Sequence, residues 1–519
     1  MTMSRSQHYV SRHAAPTPLA RWAVLVAELS TRPRSDRPIR AMAHRPLWAA
    51  LAVLTALSLR QDNSARPDEA LGLYTGAWIR RSWATGEEVY SHPDTFFGGV
   101  PTLYPPLASV VESAVGLAGA RLLSLAVMAA ATVAVFVMTD TLMHDQQGWH
   151  PRTFAALAFA TSGPVIVLAH LAIHQSFGIA LLLLGLAWAL RSVRGPDRTP
   201  RALAASLGAG VVLGLAGLVS YSTLLALPVA LALVLSASPA PAAVRRDVRI
   251  HQGVLLAGML AVPMVCLSVT GTQWLTGMRA CLVQVAQEPP AVEALVRTVG
   301  WTLVPLGLAL AAARLAPGAC RRLLQILAIG VLILVARQAL AGGDPTAYLG
   351  LAVAFAAPGA GFVLATMAKV RLGWVALVAL GYAALVTGMA QAQAVFHSWP
   401  DTAPLVRQLS YAVDAMPWVR MVGEGPEPVQ LALWDRVEPW QVLGTYPGSF
   451  RYGQQVDLEA LRAAMADNYV QVVFFDGSTE AGRSIDPSEY GFRLTDTVPQ
   501  SHSTAAWRIY QRFDAVPNP

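Results

Sequence analysis

The chain has 519 residues, of which 54% are hydrophobic and only 13% charged, with a mean hydropathy of +0.45. A soluble protein of this length needs more charge to cover its surface, so the composition excludes one and implies an integral membrane protein. The net charge of +7 does not point to nucleic acid, because the arginines gather in short loops between apolar segments.

The first 45 residues carry eight arginines among prolines and few large apolar side chains, the composition of a loose cytoplasmic tail. Pro46–Leu59, PLWAALAVLTALSL, follows as an apolar segment. It reads as an uncleaved anchor; a signal-peptide core is the alternative, disfavoured because no clear small-residue cleavage site follows. Further apolar segments near 121–142, 153–170, 176–191, 203–219, 221–237, 253–270, 300–314, 323–341, 347–367 and 372–393 bring the expectation to about eleven transmembrane helices. Residues 46–394 thus form a transmembrane domain.

With the N-terminus inside, the inner loops hold Arg152, then Arg191, Arg194, Arg198 and Arg201, then Arg245, Arg246 and Arg249. Arg314, Arg321 and Arg322 follow, and finally Lys369 and Arg371. The outer connections, such as SYST (220–223) and GGDPT (342–346), are nearly free of arginine. This is the positive-inside pattern, and an odd number of spans puts the C-terminus outside. Cys266, Cys281 and Cys320 fall in a span, an outer loop and an inner loop without metal-like spacing, so no disulfide framework is expected.

From about residue 395 the composition changes. Residues 396–519 contain fifteen acidic residues against nine arginines. APLVRQLSYAVDAM and DLEALRAAMADNY read as helices, and PVQLALWD, VQVVFFD and AAWRIYQRF as strands. The expectation is a small extracytoplasmic α/β domain over 395–519, serving as cap or acceptor-binding module. Asp476, ending VQVVFFD, is its one position resembling a site, and strand-end turns commonly carry Asp for structural reasons.

The first outer loop, residues 61–120, is far longer than the other connections and concentrates the unusual chemistry. It opens with PDEALGLYTGAWIRRSW. Pro67 suits the first position of a helix, which places Asp68 and Glu69 in the first turn. Leu71, Tyr74 and Trp78 then form an apolar stripe suited to lying along a membrane surface. Acidic residues in a first turn also satisfy exposed amides and the helix dipole, the simpler account of the pair. Beyond lie Gly86 and Tyr90 in a Gly-x-x-x-Tyr, then Tyr104-Pro105-Pro106-Leu107, then Arg121-Leu122-Leu123-Ser124.

In this order and spacing, the motifs resemble the polyprenyl-phosphate-dependent glycosyltransferases of the GT-C fold, which include protein O-mannosyltransferases and the aminoarabinose transferases that modify lipid A. The resemblance spans roughly residues 46–191. It implies a mainly α, polytopic, GT-C-like protein that moves a sugar from a lipid-linked donor to a hydroxyl of a glycan, lipid or protein acceptor. The implied place is the outer face of an inner (plasma) membrane, among membrane lipids and with no nucleic acid. The family's first loop acid serves as base, a role that falls to Asp68, and Glu69 would position the acceptor or help bind a divalent metal. The leaving phosphate needs arginine or a metal to hold its charge; Arg337, Arg80, Arg81 and Arg279 are the candidates, with Arg297 a competitor. Tyr74, His92, Tyr104, His174 and Gln175 are the candidate pocket residues.

One departure stands out. Related enzymes often place another aspartate near the start of the fourth span, where this chain has His170, His174 and Gln175. Spaced four apart, the two histidines would share a face if one helix carried both. Glu112 is the expected ion-pair partner of Arg121. Two other classes fit the topology. A glycolipid flippase or transporter would carry midplane charges and internal symmetry, which the sequence lacks. A polysaccharide polymerase or ligase would place its chemistry in a late outer loop.

Overall fold

The structure, a computed structural model, describes residues 45–59, 63–86, 103–143, 151–194, 199–237, 245–270, 292–341, 346–370, 373–445, 450–501 and 504–512. Among the described residues, fourteen helices come first: α1 (Arg45–Leu59), α2 (Pro67–Thr85), α3 (Tyr104–Val115), α4 (Leu117–Leu142), α5 (Pro151–Ala160), α6 (Gly163–His170) and α7 (His174–Arg194). They continue with α8 (Pro200–Val219), α9 (Tyr221–Ser236), α10 (Arg245–Thr270), α11 (Val292–Leu315), α12 (Gly318–Ala341), α13 (Thr346–Met367) and α14 (Gly373–Phe396). Among the described residues, α4, α7, α8, α10, α12, α13 and α14 are the 7 helices long and apolar enough to cross a membrane. The pair α5–α6 would make one more, bent by 63°, while α1, α9 and the apolar part of α11 are shorter. The mainly helical, polytopic architecture therefore stands, and the expected number of eleven spans is not established.

The bend between α5 and α6 has a local cause. Ser162 is extended, and Pro164 in the first turn of α6 has no N–H with which to continue α5. Helix α14 crosses at this point, with Gly388 so near the Thr161 carbonyl that any Cβ there would collide with it. The packing also brings particular helix ends together. Gly350, near the start of α13, meets Leu168 and Ile179, while Gly178 in α7 meets Ser220 at the start of α9. The His170 ring lies 4.9 Å from that of Phe396 at the end of α14. One end of the bundle thus gathers the ends of α6 and α14 with the starts of α7, α9 and α13.

Beyond α14 the chain forms α15 (Ala403–Ala415), β1 (Met421–Gly423), α16 (Glu427–Ala432), β2 (Val442–Gly444), a hairpin of β3 (Arg451–Tyr452) and β4 (Gln455–Val456), and α17 (Asp457–Ala466). Then come β5 (Val472–Phe475), α18 (Glu480–Ser484), β6 (Arg493–Pro499) and β7 (Ala506–Gln511). The five-stranded sheet runs β2-β1-β5-β7-β6, with β1 parallel to β2 and β5, and β7 antiparallel to β5 and β6. Strand β5 is buried on both faces. Val472 and Phe474 pack on one side with Leu405, Leu409 and Val413 of α15; Val473 and Phe475 pack on the other with Leu461 and Met465 of α17. A strand covered on both faces has no polar alternation, which is why VQVVFFD reads as one apolar run.

One expected strand is a helix. PVQLALWD enters α16 over 428–432 and turns over 433–435 instead, because Pro428 sits in a helical first turn and cannot donate to a strand ladder. Val429 and Leu433 of that segment pack on the sheet, while Leu431 and Trp434 turn toward Tyr74, Trp78 and Tyr104 of the helical part.

Candidate functional site

Helix α2 is the centre of the candidate site, and its placement corrects the surface-lying stripe expected from Leu71, Tyr74 and Trp78. Tyr74 is 2% exposed and Trp78 6%, enclosed by Tyr104, Ala108, Ala172 and Leu431. One side of α2 is pressed on α3, with Gly76 so close to the Pro105 carbonyl that a Cβ would collide with backbone. The other side is covered by α16, which the chain supplies some 350 residues later. The stripe is apolar because it meets protein.

The acidic pair at the head of α2 is split into two environments. Glu69 is 0% exposed and accepts four hydrogen bonds: from Arg121 Nε at 3.0 Å, Arg121 Nη2 at 2.8 Å, the Ala172 amide at 2.7 Å and the Arg66 amide at 3.2 Å. Arg121, expected to meet Glu112, instead gives its remaining donors to the carbonyls of Asn63 (2.7 Å) and Ser64 (3.1 Å). This ion pair is buried but saturated, the condition under which a buried pair is tolerated. Glu112 lies on α3 facing Arg80. Burial raises its carboxyl above the ordinary range, and the arginine's charge offsets part of the rise. Asp68, by contrast, keeps 47% of its side chain exposed, with Arg66 at 3.6 Å.

Around this pair the loop between α1 and α2 ties the molecule together. The Ser64 carbonyl also accepts from Trp399 Nε1 at 3.1 Å, and the Ser64 hydroxyl accepts the Thr402 amide at 3.0 Å. Asn63 Nδ2 donates to the Phe396 carbonyl at 2.9 Å, and His170 Nδ1 bonds the Ser58 carbonyl at 2.8 Å. Sequence reading missed Asn63, Ser64 and Trp399, since each side chain bonds a backbone group far along the chain and such a pairing leaves no motif.

The remaining candidates divide as follows. Tyr104 is buried, its hydroxyl 3.0 Å from Ser124 Oγ and its ring 5.7 Å from Phe177; burial holds its phenol well above the usual range. His170 ends α6 and His174 begins α7, with Leu171–Ile173 non-helical between them, so they do not share a helix face. Gln175 has a buried Oε1 with no hydrogen-bond partner among the described residues. Arg81 lies 4.6 Å from the Trp78 ring centroid and 3.8 Å from Glu438 of the C-terminal region. Arg80 is half-buried, with an Nε lacking a partner among the described residues. Arg337 stacks 5.9 Å from the Tyr348 ring near the start of α13, the end of the bundle that also holds Glu69. His92, Arg279 and Tyr90 lie outside the described residues. Among the described residues no three His, Cys, Asp or Glu side chains gather as a metal site would require.

In the C-terminal region Asp476 accepts the Ser478 amide at 2.8 Å and Gln500 Nε2 at 2.7 Å, the work of a turn-forming aspartate. Beside it, Glu424 at the end of β1 is 2% exposed. Its carboxylate accepts from the amides of Asp476 (2.5 Å), Gly477 (2.7 Å) and Thr479 (2.5 Å) and from the Thr479 hydroxyl (2.5 Å).

Neither family models nor curated proteins match this sequence. Solved structures do. ArnT from Cupriavidus metallidurans, determined with undecaprenyl phosphate bound, superposes with a TM-score of 0.56 at 12% identity, over 93% of this chain and 100% of that one. The chain has the GT-C fold. Two further GT-C structures agree. AglB, an oligosaccharyltransferase from Archaeoglobus fulgidus solved with an inhibitory peptide and a dolichol-phosphate, gives 0.54 at 14% identity, over 85% of this chain and 70% of that one. The mycobacterial arabinofuranosyltransferase AftD gives 0.53 at 17% identity, over 90% of this chain but 41% of its own. At these identities the likeness concerns the GT-C architecture, and chemistry has to be argued from the residues.

Proposed function

We propose that the protein is a membrane glycosyltransferase that moves a sugar from a polyprenyl-phosphate donor to a hydroxyl of a glycan, lipid or protein acceptor. The observation that carries this reading is the division of the acidic pair. Glu69 is sealed by Arg121 and the Ala172 amide, while Asp68 beside it opens to solvent at the start of the same helix. A buried ion pair holds the helix, and the neighbouring carboxylate is left where an acceptor can approach. The folds of ArnT and AglB, each solved with a polyprenyl-type phosphate, support a lipid-linked donor.

In the proposed step the acceptor oxygen attacks the anomeric carbon, and its proton passes to the Asp68 carboxylate. The bond from the anomeric carbon to the phosphate oxygen breaks, and its electron pair leaves with the phosphate. One displacement inverts the anomeric centre. Arg337 and Arg80 are the cations proposed to hold the leaving phosphate, since Arg81 already faces Glu438. Glu69 serves as a positioning residue that keeps Asp68 at the helix start. The site faces the outer side of a plasma membrane, as the arginine distribution implies.

The test supplies membranes containing the protein with radiolabelled polyprenyl-phosphate sugars and asks which label leaves the lipid. Release to an acceptor by wild-type protein, and its loss in Asp68→Asn, is the expected result. Movement of intact labelled lipid across the bilayer without transfer would replace this reading with a flippase.

A further inference from the structure

Arg420, just before β1, lies over two aromatic rings. Its guanidinium carbon lies 4.1 Å from the ring centroid of Tyr469 and 5.1 Å from that of Trp440. Tyr452 leans on Tyr469 with centroids 5.1 Å apart. All four side chains are half-buried. The Arg420 amide donates to Gln471 Oε1 at 2.9 Å, but among the described residues its guanidinium donates no hydrogen bond and meets no carboxylate in an ion pair.

This is unusual for an arginine with two rings around it. Stacking fixes the guanidinium plane and the side-chain rotamer, so the ordering cost of a ligand contact is already met. An ordinary surface arginine is either loose in water or folded onto a nearby carboxylate. Here the rings restrict the N–H fork, which donates no hydrogen bond among the described residues, and the rings beside it are half-exposed.

We propose that this platform binds an acidic saccharide, the fork taking its carboxylate in bidentate fashion and the partly exposed rings taking the C–H faces of the sugar. Its position suits the far end of an acceptor. Trp440 follows closely on Glu438, the partner of Arg81 at 3.8 Å. Arg81 and Asp68 stand at opposite ends of α2, ~20 Å apart at the helical rise per residue. An acceptor of several sugar units reaches from one to the other. The purpose assigned to the bound saccharide rests on the transferase reading above, whereas the binding itself does not.

The test uses full-length protein in neutral detergent and follows tryptophan fluorescence and calorimetry. The probe is a tetrasaccharide alternating glucuronate with N-acetylglucosamine, against a neutral tetramer of N-acetylglucosamine. The acidic probe should bind more tightly than the neutral one. Arg420→Gln should weaken it about tenfold or more, and Arg420→Lys by a smaller but measurable factor. No saturable binding, equal binding of both probes, or unchanged binding in Arg420→Lys would each overturn the proposal. Displacement of the probe by phosphatidylglycerol vesicles at matched charge would also overturn it, making the site a headgroup contact. If Arg420→Gln does not fold, the comparison of the two probes on wild-type protein still decides. The binding assay needs neither donor nor turnover, so a failed transfer assay and a failed binding assay indict different residues.

Discussion

At the residue scale, Asp68 and Glu69 make opposite predictions although they are neighbours. Asp68→Asn keeps size and reach but removes basicity, so transfer should fall about 10²-fold or more while donor binding changes little. Near-normal turnover in a well-folded variant would remove Asp68 from the mechanism. Arg337→Ala should do the reverse and weaken donor binding, read from the donor concentration needed for half-maximal transfer. Glu69→Ala leaves Arg121 buried without its partner at 11% side-chain exposure, a loss of about 3–5 kcal/mol of stability. Thermal unfolding in detergent would register it, and Glu69→Gln, which keeps an acceptor for the Ala172 amide, should fall between. Both acids and Arg121 were visible in the sequence as motif residues. Their pairing was not, because Glu69 and Arg121 are 52 positions apart and Glu112 was the nearer acid. Spacing along a chain says little about which charges meet once helices have packed.

Among elements, α2 shows where sequence reading succeeds and where it stops. Pro67 and the two acids mark its start, and the structure begins a helix at Pro67. Its apolar stripe was equally visible, but a stripe is the same whether it meets lipid or protein, and the covering helix α16 comes from the other end of the chain. That helix was itself misread, since a short apolar run fits a strand as well as a helical turn when its neighbours are unknown. Gly76 tests the packing directly. Gly76→Val would drive a side chain into the Pro105 carbonyl and force α2 away from α3. The expected result is a stability loss of about 1–3 kcal/mol together with a loss of transfer, because Asp68 moves with its helix. Valine accepted at full stability and activity would mean that the two helices are not held this closely. The bundle was more legible than its details, since the thickness of a bilayer dictates long apolar segments wherever the chain crosses it.

For the whole molecule, the first prediction is orientation. The proposed orientation, with Asp68 and the C-terminal region on the outer side, predicts that a cysteine introduced near Gly477 reacts with an impermeant reagent on intact cells. Reaction only after lysis would invert the topology and the proposed mechanism with it. A second consequence comes from Glu424. Strand β1 is followed in the chain by β2 on one side of the sheet, and β5 lies on the other. The carboxyl ends of β1 and β5 thus flank the crevice where open α/β sheets receive their ligands. Four donors converge there, as they would on a phosphate, and the protein has filled the place with an anion of its own. The Glu424 carboxylate thus stands where a ligand's anionic group would sit in an open α/β sheet. Glu424→Ala should expose those donors and make the protein more heat-resistant in sulfate or phosphate than in chloride, while the wild type gains nothing specific. A surface closed in this way offers those four donors to no outside anion while Glu424 stays in place.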